Sequence, residues 1–563
     1  MEYIKKSFIG GFNQQVDSTR LAENEYSLLI NGRNRYDLIQ PIKLPAEITD
    51  PMFTNGNVQE LRAAGSILLI FMDGLCFWKN YNIPNSGFQK VPGLHMAADA
   101  SLIFTELVPD SNTNNTRIPQ AADNRFNTDV NLINSIPPSV AGIVVQDGVS
   151  QPQFIDANIN ARILNNYNAW TLDTSMEYVP IGKQMLWFDG NLYIVNGRFI
   201  YRSVTGKPLD FMVIVTNPDG DKLPTEAEGG AINVALTVDF DDITSINKLS
   251  TEDDSFFVST NRASYAVTPD FTPEFLIFGE PVFNNRFLFS SGCISPYSFV
   301  DILGDSAFVD FNGLRSFNAV QQLKFEGQNS VFSQKIGPTL QGIVQDYTAA
   351  IVFDNYALFA VNTIYGRAII VYDTLHQVFS AIDIYPGIGQ IKKFEEVKTI
   401  FGRRLFFSTV DNKIYEAFAG KTSTCSVYVG DFTTDDPNKE QKARDLELVF
   451  INILEGGMIN ASIYTDKRLE HTLDDAFNDP AAILPFPVPP PFAPANTDTV
   501  KISNFNFASK TTIGWRLGAF ISWDFNAALS HVKLSSNDDP NEQAVSSQAR
   551  QFVKSKNFLN KHN

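Results

Sequence analysis

Between Ser306 and Phe317 the chain reads SAFVDFNGLRSF, two short apolar runs joined by Asn312–Gly313. Asn-Gly is the strongest short hairpin signal, because both residues tolerate the positive φ that a type I′ turn requires. The unit recurs. SILLIFMDGLCFWKN turns at Asp73–Gly74, and KQMLWFDGNLYIVNGRFIYRS turns at Asp189–Gly190 and again at Asn196–Gly197. DSFFVSTNRASYAV turns near Asn261, AAIVFDNYALFAV near Asn355, and RRLFFSTVDNKIYEAF at Asp411–Asn412. Six turn-centred units at uneven spacing predict an array of small antiparallel sheets rather than a short solenoid repeat.

The inner strands decide between architectures. ILLIF, MLWF, SFFV and RLFF are apolar on both faces instead of alternating. In an antiparallel hairpin, that requires both sides of the sheet to be covered. Blades stacked around an axis cover both sides, whereas a sandwich covers one and predicts cleaner alternation. The expected fold is therefore all-β, a β-propeller with a long loop insertion and a C-terminal β-sandwich-like domain.

Along the chain, residues 1–50 read as an irregular N-terminal arm and 51–95 as the first blade. Residues 96–180 are rich in Asn, Asp and Pro and read as a loop-rich insertion. The remaining blades fall in 181–421. From Thr424 the strands lengthen and alternate, as at Leu446, Leu448, Phe450 and Ile459, Ala461, Ile463, so 422–535 reads as the sandwich-like domain. Within it, ILPFPVPPPFAPAN (Ile483–Asn496) predicts exposed polyproline II. Residues 536–563 form a polar tail carrying Arg550, Lys554, Lys556 and Lys561.

Charge and composition exclude several functions. Forty-four Lys and Arg against 62 Asp and Glu give −18 over 563 residues, and such a surface repels a duplex. Cys76, Cys293 and Cys425 form no CxxC pair, so neither a disulfide framework nor a structural zinc site is expected. The start, MEYIKKSFIGGF, lacks the apolar core of a signal peptide, and no run of about eighteen apolar residues is present to span a membrane. His95, His376, His471, His531 and His562 show no metal-binding spacing, and no GxSxG elbow occurs. Acidic groups at Asp239–Asp242 and Glu252–Asp254 read as solvated turns more readily than as glycosidase carboxylates. Asn217–Asp221 lacks the downstream Glu of an EF-hand loop. No catalytic residue, cofactor site or metal site is expected.

Two stretches carry a resemblance. GGFNQQVDSTRLAENEYSLLINGRNRYDLIQPIK resembles the opening of tail nozzle proteins (tail tubular protein B) of short-tailed bacteriophages, through Gly10, Gly11, Gln14, Gln15, Asp17, Arg20, Asn31 and Pro41. Gln40–Pro41 stands where that family usually has Arg-Pro. ISPYSFV followed by AFVDFNGLRSF is similar to one of their blades. The resemblance implies a structural virion protein of a phage tail, made in the host cytoplasm. It implies a homo-oligomeric ring, a hexamer, lying below portal and adaptor proteins and conducting DNA without specific binding. Gly10, Gly11, Gln14, Gln15, Asp17, Arg20 and Asn31 then become an assembly arm ordered by neighbours, and 96–180 becomes a set of nozzle loops narrowing the channel or holding fibres. Two other readings stay open: a receptor-binding or carbohydrate-active propeller at a tail tip, and a peptide-binding scaffold propeller.

Overall fold

A computed structural model describes residues 2–538 apart from 54–55, 109–141, 167–177, 204, 212–231, 236–240, 250–253, 270–283, 303, 318–331, 433–440, 454–455, 466–467, 478–500, 507–512 and 515. The Pro-rich stretch, the tail beyond residue 538 and the Asn217–Asp221 loop lie outside the described residues.

Two hairpins form where the turn chemistry places them, but the Asn-Gly turns are displaced by one residue: Asp310 pairs with Gly313 and Asn196 with Phe199, so the loops are Phe311–Asn312 and Gly197–Arg198. Asp73 and Gly74 sit at φ 49° and 73°, and Asp189 and Gly190 at 45° and 73°, so both pairs adopt the left-handed backbone of a type I′ turn. Each hairpin extends into a small sheet. Seven such sheets follow one another among the described residues. Their first strands are Val58–Ala64, Phe104–Val108, Gln184–Phe188, Ile243–Lys248, Phe299–Ile302, Ala349–Phe353 and Ile391–Thr399.

These first strands pack side by side around an axis, and the seventh returns to the first. The gap between the fourth and fifth sheets is filled by Phe257, Leu288, Phe308 and Phe317. The second strand of the first sheet, Ile67–Met72, explains the two-faced apolar pattern. Ile67, Leu69 and Phe71 pack with Ile143 and Val145 of the second sheet. Leu68, Ile70 and Met72 pack with Val397, Phe406 and Ile414 of the seventh. Alternate side chains of one strand thus fill the cores on its two sides, and the molecule is a β-propeller.

Three expectations are corrected. First, 96–180 is not only loop. It supplies a four-stranded sheet, Phe104–Val108, Gly142–Gln146, Gln153–Ile155 and Ala161–Ile163, which raises the six legible units to seven sheets. Its strands are short, the first two lie far apart in the sequence, and Asp147–Gly148, with Gly148 at φ 80°, opens the longer link 147–152 rather than a two-residue turn. Second, the N-terminal residues are not an unsupported arm. Ala46–Glu47 pairs with Ile414–Glu416 as the outer strand of the seventh blade, closing the ring. Third, the sandwich is not confined to 422–535.

One sandwich sheet runs Lys501–Asn506, Gln441–Ile451, Ala528–Asp538, Leu38–Pro41, Gly32–Arg35, with Glu2–Lys5 also on Ala528–Asp538. In the other, Leu28–Ile30 lies between Cys425–Phe432 and the outer strand of the sixth blade, Val378–Asp383. N-terminal strands therefore complete both sheets and bridge them to the propeller. Leu446, Leu448 and Phe450 are buried with Ile459, Ala461 and Ile463, as their alternation predicts, and Phe450 meets Trp523 edge-on at 5.3 Å.

Candidate functional site

Inward-facing residues of the first strands meet in a charged network on the propeller axis. Glu60, almost fully buried, accepts from Lys393 Nζ and from the Tyr297 hydroxyl at 2.5 Å. Tyr297 leads into the fifth blade and Glu60 belongs to the first, so the phenol reaches across the axis. Lys393 also approaches Glu395 at 3.6 Å and lies 4.8 Å from the Tyr297 ring centre. Glu395 Oε1 accepts from the Ala63 amide at 2.9 Å. Arg62 pairs with Glu106 at 3.4 Å, and Glu106 accepts from the Trp187 amide of the third blade at 3.1 Å.

Burial pushes the Glu60 and Glu106 carboxyls above their ordinary range, opposed by Lys393 and Arg62 respectively. Burial and the Glu60 charge likewise hold the Tyr297 phenol well above its usual value. A buried carboxylate with both oxygens engaged cannot reach a substrate. Chemically, the network cross-links the first, second, third, fifth and seventh blades through charge-assisted hydrogen bonds. The basic pair Lys392–Lys393 reads from the sequence as a solvated strand end, and the burial of Lys393 against Glu60 corrects that; the other members carry no such signal. A Glu or Lys in a strand gives no local sign of facing an axis, although the polar pair within the apolar segment Val58–Ala64 was a visible irregularity.

The seven arm positions lie within one continuous segment, but the structure assigns them different tasks. Gly10 donates to Asn24 O at 3.0 Å. Gly11 is at φ 75°, and a Cβ there would lie 2.4 Å from Phe379 O. Gln14 donates from its amide to Lys335 O at 2.8 Å and accepts from Thr339 Oγ1 at 2.5 Å. The Gln15 amide donates to Asn13 Oδ1 at 3.0 Å. Asp17 caps the short 3-10 helix Ser18–Arg20 through the Thr19 amide and pairs with Arg516 at 3.2 Å. Arg20 is exposed at the end of that helix.

Asn31 stands apart from the rest. At φ 54° it turns the chain from one sandwich sheet into the other, while its Oδ1 accepts from the Ile384 amide at 2.8 Å. Two residues on, Arg33 forms a buried bidentate pair with Asp383 at 2.7 and 2.6 Å. No local signal in the sequence marks Arg33, because its partner lies 350 residues away.

Several apolar side chains near Gln14 to Asp17 are exposed. Val344, Tyr347 and Ile364 are 72%, 58% and 54% exposed, with Val16 and Tyr365 beside them. Hydrogen bonds from Ile364 N to Thr339 O and from Thr339 to Gln14 join these loops to the arm. A neighbouring open cleft of about 460 Å3 is lined by Gln14, Val16, Asp17, Tyr365, Tyr428 and Tyr464.

Among the described residues no group of three or more His, Cys, Asp or Glu side chains could hold a metal ion, and no helix is long and apolar enough to cross a membrane. His376 pairs with Asp373 at 2.8 Å. All three cysteines are buried as free thiols, and burial raises Cys293 to about 11.

The fold and these two sites define a propeller fused to a β-sandwich. No family model matches the chain, and no curated protein matches it in sequence. Solved structures similar to it include a glycoside hydrolase family 43 arabinoxylan arabinofuranohydrolase from Bacillus subtilis in complex with cellotetraose. That match is 8% identical, covers 87% of this chain and 97% of that one, and has a TM-score of 0.22. Another is the β-propeller domain of Myceliophteria thermophila Cps50 (Swd1), 9% identical over 69% of this chain and 96% of that one, with a TM-score of 0.29. Likenesses this distant carry no argument about activity, so the description of the molecule rests on its own sheets.

Proposed function

We propose that this chain is a structural subunit of a short phage tail, a nozzle-like protein that joins a ring of its own copies around the path of the genome. The reading rests on the resemblance of residues 10–43 to tail nozzle proteins. The observation that carries it further is the exposed apolar surface of Val16, Val344, Tyr347, Ile364 and Tyr365, which places Gln14, Gln15 and Asp17 beside a contact area suited to a neighbouring subunit. Gly10, Gly11 and Asn31 act one step back, by fixing the backbone that presents those residues.

The axial network gives the propeller a rigid interior, so the DNA path in this reading runs between copies and not through a blade ring. Net charge of −18 suits a wall past which DNA slides without specific binding. Six copies, portal-side neighbours and tail fibres remain part of the same proposal, with the virion as the site of action and no catalytic role.

Val344→Asp with Ile364→Asp tests it, because both side chains are exposed and the chain keeps its core. The expected result is a folded protein that no longer enters tails when supplied to particles lacking the subunit. Normal incorporation of the double variant would refute the interface.

A further inference from the structure

At the opposite end of the strand Tyr356–Thr363 from that surface lies a cleft of about 620 Å3, between the Gly32–Pro41 hairpin and the sixth and seventh blades. Its volume falls in the range of small-molecule sites. Phe353 and Phe418 stack along one wall with ring centres 6.1 Å apart. Phe418 holds φ at 59°, a left-handed conformation that is an outlier for a bulky side chain and that clusters at ligand-binding positions.

The polar groups of the cleft divide into saturated and available ones. Arg33 is fully engaged by Asp383, and Arg404 is held by Glu416 at 2.6 Å. Arg403 is bidentate to Glu396 and lies 5.4 Å over the Phe353 ring. Arg35 and Lys43 are exposed and line the same cleft. Asp354 sits 4.0 Å from both Arg35 and Arg403, at the outer limit of an ion pair. It marks where a carboxylate is tolerated between the two guanidinium groups. Tyr36, 91% exposed, stands next to Arg35.

We propose that this cleft binds an anionic sugar of the uronic- or sialic-acid class. The C–H face of the ring stacks on the Phe353–Phe418 wall, the ligand carboxylate takes Arg35 and Lys43, and a ring hydroxyl donates to Asp354. Cations and carboxylates interleaved around an aromatic wall suit a polyol acid. The proposal does not depend on ring assembly.

The test titrates the full chain with glucuronate, galacturonate and N-acetylneuraminate, with glucose and galactose as neutral controls, by ligand-observed NMR and calorimetry. At least one acid is expected to bind and the neutral sugars not to. Arg35→Ala with Lys43→Ala removes both charge-assisted contacts to the ligand carboxylate and should weaken binding at least about tenfold, the value of a single such contact. Thermal unfolding of the variant checks that its fold is intact, and Phe353→Ala provides a second, charge-independent loss. The Val344→Asp, Ile364→Asp chain should bind as the parent does, which separates this site from the assembly surface. Absence of binding by all three acids, equal binding of neutral sugars, or indifference to Arg35 and Lys43 would overturn the proposal.

Discussion

Replacing Asp383 with Asn should be among the most damaging single changes in the described part of the chain. Arg33 and Asp383 have side-chain exposures of 6% and 0%, and their two hydrogen bonds of 2.7 and 2.6 Å are parallel. The guanidinium also donates to Gly32 O at 2.9 Å and lies 5.4 Å from the Tyr356 ring centre and 5.7 Å from that of Phe418. Burial works against the Arg33 charge, but the Asp383 carboxylate outweighs it and holds the guanidinium protonated beyond its usual range. Removing one partner of such a pair leaves a buried charge without its counterion, a loss of about 3–5 kcal/mol.

Asp383→Asn keeps shape and removes only the charge, so it isolates this effect. Arg33→Met with Asp383→Leu removes both charges and should recover most of the loss, because desolvation then disappears with the ion pair. Denaturant unfolding followed by hydrogen exchange of Leu28–Ile30 and Gly32–Arg35 would read the change where it arises. A loss below about 1 kcal/mol for Asp383→Asn, the value of an exposed pair, would refute the reasoning. So would a double variant as unstable as the single one.

Deleting residues 1–40 should yield aggregated protein, since Phe8, Phe12, Tyr26, Leu29 and Ile39 are essentially fully buried. Together they are worth about 10 kcal/mol, comparable to the net stability of a whole domain; a soluble, cooperatively melting product would contradict this. Lys5 offers a pH test. Burial lowers its ammonium to about 8, while its Nζ donates to Glu25 O and Val429 O. Between about pH 8 and 10.5 the unfolded chain holds this proton more tightly than the folded one, so stability rises with pH. Relative to Lys5→Met, the parent should gain up to about 3 kcal/mol across that window, and a stability gap that does not change with pH would rule it out.

Much of the propeller was legible because its signals are local. Asp73–Gly74 and Asp189–Gly190 announce turns through backbone chemistry confined to two residues. The two-faced apolar strands announce neighbours on both sides, and Ile67–Met72 fills two cores as that pattern requires. The second blade is hard to read because its first two strands are far apart in the sequence and Asp147–Gly148 opens a link of several residues instead of a two-residue turn. On the axis, the pairing of Glu60 with Lys393 spans 333 residues and has no local trace.

By itself the sequence determined the all-β class, the hairpin register at Asp73–Gly74 and Asp189–Gly190 and the alternating sandwich strands, since each follows from residues within one or two turns of each other. Only the tertiary structure decided that the first fifty residues are woven into both sheets of the sandwich and the last blade, that the axis is filled by paired charges, and that Arg33 meets Asp383. Those outcomes depend on which distant strands become neighbours once the ring closes, and the energy of a buried charge is set by those neighbours rather than by its place in the chain.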